Sequence, residues 1–213
     1  MKLFNITDYE KPTPFRDSTL FIIICEGSVR EIEYFEFFDR LSRRIKVHAY
    51  SPEENKSAPN HVLKAADFYL SKYNDDPLND NFDSDKDEFW LVMDTDRHAD
   101  LIHDVIKACN ENGVMKYAIS NPCFEVWLRF HLKQDSLPPN QNTCEKYKQD
   151  LNNSVNGGFH NARHPSLINN ANINAEKNIL MNGYLPLTGS TTLFELGKKI
   201  YSKVKGELKQ FNP

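Results

Sequence analysis

Nothing in the 213-residue chain comes near the roughly 20 consecutive apolar residues that cross a bilayer, so a membrane role has no support. Positive charge is not in excess either: the net charge is −4 and the pI about 6.0. The protein as a whole therefore has no general attraction for phosphate backbones, and contact with nucleic acid must be local or bridged by a metal ion. Cysteine is scarce and scattered. Cys25, Cys109, Cys123 and Cys144 contain no C-x-x-C pair, which argues against both a zinc ribbon and a disulfide framework; they read as reduced, mostly buried thiols. The stretch from Met1 to Asp17 lacks a basic region leading into an apolar one, so it is not a secretory signal and a cytoplasmic protein is expected. Internal repeats and low-complexity tracts are missing as well.

The composition that remains, 39% hydrophobic and 26% charged, is that of a globular protein and excludes a disordered or fibrous chain. Leu20 to Cys25 are apolar at consecutive positions, the mark of a strand covered on both faces, as in a parallel sheet flanked by helices. From Val29 to about Ile45 the period becomes helical, with Tyr34, Phe37, Phe38, Leu41 and Ile45 on one stripe. A second strand is predicted over Ile45 to Tyr50, and a helix from Pro59 to about Tyr73. The polar stretch 74–87 reads as a solvated loop without the ligand order of an EF-hand. Glu88 to Met93 is the third strand, Ala99 to Cys109 a helix with Gly113 beyond it, and Val114 to Ser120 the fourth strand. Asn121 is a plausible N-cap, with Pro122 opening a helix that reaches about Lys133. Helical patterns at about 143–151, 166–181 and 191–205 follow, with no strand expected among them. The expected architecture is an α/β domain over 18–135, a parallel sheet of about four strands, with a C-terminal helical extension over 140–213 packed on it.

Three strands end in acids. Glu26-Gly27 follows the first, Asp94-Thr95-Asp96 the third, and Glu125 lies just beyond the fourth. Strands that alternate with helices run parallel through right-handed crossovers, so their C-terminal ends share the edge where α/β proteins bind ligands. Carboxylates gathered there repel one another unless a divalent cation neutralises them, and oxygen donors of this kind suit Mg²⁺ or Mn²⁺. Such ions activate water and polarise phosphodiesters, so phosphoryl transfer or hydrolysis is the expected chemistry. Each acid also has a plainer reading. Glu125 in a first helical turn complements the helix dipole, Glu31 suits a surface or a place near Glu26, and Asn121 is first a cap. Arg97, which flanks the acids, and Asn121 are weaker candidates for substrate contact.

Ile24-Cys25-Glu26-Gly27-Ser28-Val29-Arg30-Glu31 with Tyr34-Phe35 resembles the first motif of the RloB-like proteins, C-E-G-x-x-T-E-x-x-Y-F. Val92 to Asp96 resembles their acidic strand end, Ser120 to Leu128 their S-N-P-x-F-E-x-W-L block, and Ser190 to Leu196 a weaker C-terminal element. The resemblance spans about Leu20 to Ile200. It implies a Toprim-like, Rossmann-like fold in which Glu26, Asp94 and Asp96 ligate metal and Glu31 and Glu125 are further acids of this branch. It also implies a metal-dependent nuclease of DNA or RNA in bacterial defence against phage, often accompanied by an ATPase partner. Arg30 stands where the family usually has Thr, close enough to pair with an acid or contact phosphate.

Two other readings compete. The Asp94-x-Asp96 pair after an apolar strand also opens the haloacid-dehalogenase phosphatases, although there it lies on the first strand. A regulatory module that binds nucleic acid or an ATPase without cleavage would use Lys198, Lys199, Lys203, Lys205 and Lys209 as a basic face, although these residues read first as solvated lysines of a terminal helix. His160, Arg163 and His164, in a Gly-rich loop, are candidates for acid catalysis with the same reservation.

Overall fold

The computed structural model describes residues 18–39, 41–52, 59–75, 82–95 and 99–211. Four strands, β1 (Thr19–Cys25), β2 (Ile45–Tyr50), β3 (Glu88–Asp94) and β4 (Met115–Asn121), pair in parallel in the order β2-β1-β3-β4. Helices α1 (Arg30–Glu36), α2 (Pro59–Asp75) and α3 (Ala99–Asn112) make the crossovers. The chain leaves β1 outward to β2, then returns to the other side of β1 for β3. The order therefore reverses between β1 and β3, and α/β proteins place ligands in the crevice at such a reversal.

Alternation along the strands explains why both faces are apolar. Phe21, Ile23 and Cys25 of β1, with Trp90 and Val92 of β3, face one core together with α1 residues Tyr34 and Phe35. Leu20, Ile22 and Ile24, with Phe89, Leu91 and Met93, face a second core built by Val62 and Ala66 of α2 and by Ile102, Val105 and Ile106 of α3. The period of two thus serves two hydrophobic layers, and the strands read as unbroken apolar runs.

The C-terminal third completes the first core. Helices α4 (Glu125–Phe130), α5 (Cys144–Ser154), α6 (Ile168–Lys177) and α7 (Leu193–Val204) bring Trp127, Tyr147, Leu151, Ile168, Leu196 and Ile200 into it. Contrary to the expectation of helices alone, this region holds three two-residue strands, β5 (Met181–Asn182), β6 (Leu185–Pro186) and β7 (Ser190–Thr191). β5 and β6 form a small hairpin, and β7 joins the main sheet antiparallel to β4 as its fifth strand. Thr192 fastens that edge by accepting the Ile119 N–H at its Oγ1 (2.9 Å) and donating its own N–H to the Ile119 carbonyl (2.9 Å). Strands of two residues carry no periodicity, which is why pattern reading assigned these residues to helices and loops.

Two helices are shorter than their apolar spacing suggested. α1 ends at Glu36, and Phe38, Asp39 and Leu41 continue in i→i−3 turns. Phe38 stays buried because three-residue spacing keeps the same side inward. Asp39 leaves the helical course and accepts the Val47 N–H (3.0 Å), fixing the entry to β2. α4 begins at Glu125 rather than Pro122: Asn121 closes β4, the Asn121–Pro122 peptide is cis, and the residue preceding the helix is Phe124. The Asn121 amide is therefore not a helix cap; it donates to the Pro186 carbonyl (2.8 Å) and holds β6.

The four cysteines divide. Cys25 and Cys109 are buried free thiols as expected, but Cys123 and Cys144 form a disulfide, with Cα atoms 5.6 Å apart. This corrects the reading of all four as reduced thiols. The 21-residue spacing hid the contact, which arises because α5 folds back beside α4. Among the described residues, no helix is long and apolar enough to cross a membrane.

Candidate active site

β1 and β3 are adjacent and in register, with Cys25 opposite Val92, so Glu26 and Asp94 emerge side by side at the reversal of strand order. The Glu26 N–H continues the ladder to the Val92 carbonyl (2.9 Å), and the Glu26 carboxylate accepts the Asp94 N–H through Oε2 (3.0 Å). Glu26 is thereby clamped to the end of β3 by its backbone and its side chain. Gly27 is needed for the next placement. A Cβ built there would overlap the Glu31 carboxyl, so the missing side chain leaves the space into which Glu31 returns from the first turn of α1. Glu125 arrives from the start of α4 and is buried (6% exposed).

The electrostatics report how close these acids are. Burial, then the charges of Glu31 and Glu26 and, more weakly, Glu125, push the Asp94 carboxyl well above the carboxylate range, while a hydrogen bond from the Phe124 backbone opposes them. Burial likewise raises Glu31, with Glu125 adding to the effect and its own backbone N–H, Arg30 and Lys148 opposing it. The Cys25 thiol beneath them is raised by burial and by Glu31 and Asp94. Four acids from β1, α1, β3 and α4 thus share one field. Arg30, expected to pair with an acid or touch phosphate, lies 3.5 Å from Glu125, and Lys148 of α5 lies 4.0 Å from the same carboxylate oxygen. Both cations stand on the Glu125 side and partly offset its charge at Glu31, whereas the charges that act on Asp94 are all carboxylates.

Asp96 and Arg97 lie outside the described residues. Asn121, proposed as a substrate contact, is turned to β6. His164 is buried, accepts the His160 N–H at Nδ1 (2.9 Å) and serves the loop's own fold, while His160 lines an open cleft with Val29, Arg30 and Glu33. Lys198 pairs with Glu176 and Lys199 with Glu88 (3.2 Å), so two lysines of the expected basic face are engaged with acids.

Sequence reasoning missed Lys148 and His131. Lys148 gave no signal, because only the return of α5 brings it to Glu125. His131 is buried against Tyr34 and Trp127, where its Nδ1–H donates to the Trp127 carbonyl (3.1 Å) and its Nε2 accepts the Tyr34 hydroxyl (3.0 Å). Burial lowers its pKa to about 3, so it is a neutral packing element. Its four-residue spacing from Trp127 was the only hint available.

Among the described residues, one trio has ligand atoms all within 4.8 Å of one another: Cys123, Glu125 and Cys144. The two sulfurs are bonded to each other and provide no thiolate, so the trio is not a metal site in this form. Glu26, Glu31 and Asp94 do not form such a trio among the described residues. Their donor set fits a hard divalent cation: carboxylate oxygens only, with the ionised forms of Asp94 and Glu31 disfavoured by their surroundings in a way that a cation would reverse.

The fold and site define an α/β protein with an acidic cluster at the C-terminal edge of its parallel sheet. The family model for RloB-like proteins matches residues 21–199, and the chain belongs to that family. No curated protein and no solved structure gives a match.

Proposed function

We propose that the protein is a Mg²⁺- or Mn²⁺-dependent nuclease that hydrolyses phosphodiester bonds in DNA or RNA. The observation that carries this reading is the convergence of Glu26, Glu31, Asp94 and Glu125 at the reversal of strand order, with Glu26 accepting the Asp94 N–H. Glu26 and Asp94 would hold the cation, along with Asp96 two residues further on. A bound ion of this kind supplies Lewis acidity toward the phosphoryl oxygens and lowers the pKa of water. The chain's own residues do the rest. Glu26 is fixed by its hydrogen bond to Asp94, Gly27 gives Glu31 room beside it, and Glu31, whose protonated form burial favours, is the group placed to act as an acid or base. Arg30, 43% exposed and only loosely paired with Glu125, is free to turn its guanidinium toward a substrate phosphate. In keeping with the family resemblance, the setting is bacterial defence against phage, with an ATPase as partner protein.

The test is cleavage of DNA and of RNA by purified Glu26→Ala and Asp94→Ala variants with Mg²⁺ or Mn²⁺ present. Cleavage is expected to fall on the order of 100-fold or more, with thermal unfolding showing both variants folded. Undiminished cleavage would remove the assignment of these residues.

A further inference from the structure

The lysines once grouped as a single basic face divide in the folded protein, and the unpaired ones acquire new neighbours. Lys203, Lys205 and Lys209 line an open cleft of about 560 Å³ together with Arg43 and Arg44, which belong to the turn before β2. Ser42, Tyr201 and Glu207 complete the lining that matters here. Five cations thus face one concavity against a single acid, in a protein whose net charge is −4. Among the described residues none of the five makes a salt bridge, whereas Lys198 and Lys199, on α7 with Lys203, do.

The walls are ordered. The Arg44 N–H donates to the Ser42 hydroxyl (3.2 Å), and the Arg44 carbonyl accepts the Thr19 N–H (2.9 Å), tying this turn to the start of β1. On the other wall Lys205 continues α7 by donating its N–H to the Tyr201 carbonyl (2.9 Å). Leu208 is buried in the first core, and the Phe211 ring meets Phe37 at 5.6 Å. Lysines at a helix C-terminus are favoured by the helix dipole, which accounts for Lys203 and Lys205. It does not account for Arg43 and Arg44, delivered from a different segment into the same cleft. Planar guanidinium groups suit phosphate oxygens, and a tyrosine between cations offers a face on which a base can stack.

We infer that this cleft, formed by Arg43, Arg44, Tyr201, Lys203, Lys205 and Lys209, binds the phosphodiester backbone of a nucleic acid. It lies at the N-terminal edge of the sheet, across the seven-residue length of β1 from Glu26, roughly 20 Å away. It is therefore a docking site separate from the acids, and it stands whether or not they cleave.

The experiment measures binding of a fluorescein-labelled single strand and a labelled duplex to the full chain in EDTA, by anisotropy across a salt series. The Arg43→Ala/Arg44→Ala variant is expected to bind more weakly, with the slope of log K against log salt reduced by about 1.4 on the single strand or about 1.8 on the duplex. Lys205→Ala/Lys209→Ala, at two exposed positions, should reproduce the effect if the arginine variant folds poorly. Glu26→Ala should retain the wild-type slope, so loss of cleavage and loss of docking are separate outcomes. Unchanged affinity and slope in both cleft variants overturn the inference. So does competition by inorganic phosphate or a nucleoside triphosphate that matches unlabelled nucleic acid at equal ionic strength, since that result makes the cleft a small-phosphate site.

Discussion

At His131, a ring that would titrate near neutrality in an unfolded chain is held neutral between Tyr34 and the Trp127 carbonyl. Its pKa falls to about 3 in the folded state, below the unfolded value of about 6.5. The sign follows: unfolding takes up a proton at any pH between these values, so stability is lost as pH drops from about 6.5 toward 3. One proton corresponds to roughly 1.4 kcal/mol per pH unit. Chemical denaturation of wild type and His131→Gln from pH 7 to pH 4.5 should therefore show a steeper acid-side loss for wild type, by up to that slope. Parallel curves would mean that the ring is already charged in the folded protein. Asp94 and Glu31 depart in the other direction, because burial and neighbouring carboxylates favour their protonated forms. Residue-level environment thus separates a neutral ring from acids whose protonated forms are favoured. Glu26, Asp94 and Glu125 were visible in the sequence as acids beyond strand ends. The burial of His131 was not, since nothing local to it distinguishes a buried ring from an exposed one.

Among the elements, α5 changes the site most. Its first residue, Cys144, is bonded to Cys123 in the turn before α4, Lys148 one turn on approaches Glu125, and Asp150 accepts a hydrogen bond from the buried Arg129 Nε (2.8 Å). Three links tie α5 to α4, and two of them converge on the surroundings of Glu125. In protein purified and denatured without reductant, two of the four cysteines should react with a thiol reagent, and all four after reduction. Reduction should also lower the unfolding temperature, since closing a loop of this length contributes about 3 kcal/mol in the chain-entropy view. Four reactive thiols in the unreduced sample would show that the pair stays reduced. Periodicity identified the helix itself, from the pattern over 143–151, and failed on its partners. Spacing along a helix states which side is apolar but not which element covers it.

For the whole molecule, the decisive feature is that the first core draws residues from both 18–135 and 140–213. Leu193, Leu196, Ile200 and Val204 of α7 pack in the same core as Phe21, Ile23 and Trp127, and β7 supplies the edge of the sheet beyond β4. A chain ending at residue 137 would expose that face and leave the Ile119 and Ser120 edge without the Thr191 and Thr192 contacts. Such a fragment should show no cooperative thermal unfolding and should aggregate, whereas the full chain should unfold in one transition by circular dichroism. A cooperative melt of the fragment would make residues 140–213 a true appendage. The sequence alone determined the parallel α/β sheet, because buried strands and amphipathic helices write their periods directly into the order of residues. It also determined that acids follow the strands, and the motif order by which the family was identified. Tertiary structure decided how those acids share one electrostatic field, that Arg30 and Lys148 face Glu125, that Cys123 meets Cys144, and that Arg43 and Arg44 join Lys203, Lys205 and Lys209 at and beyond the end of α7. Each of these joins residues far apart in the chain, and such contacts leave no local pattern because they depend on where whole elements come to rest.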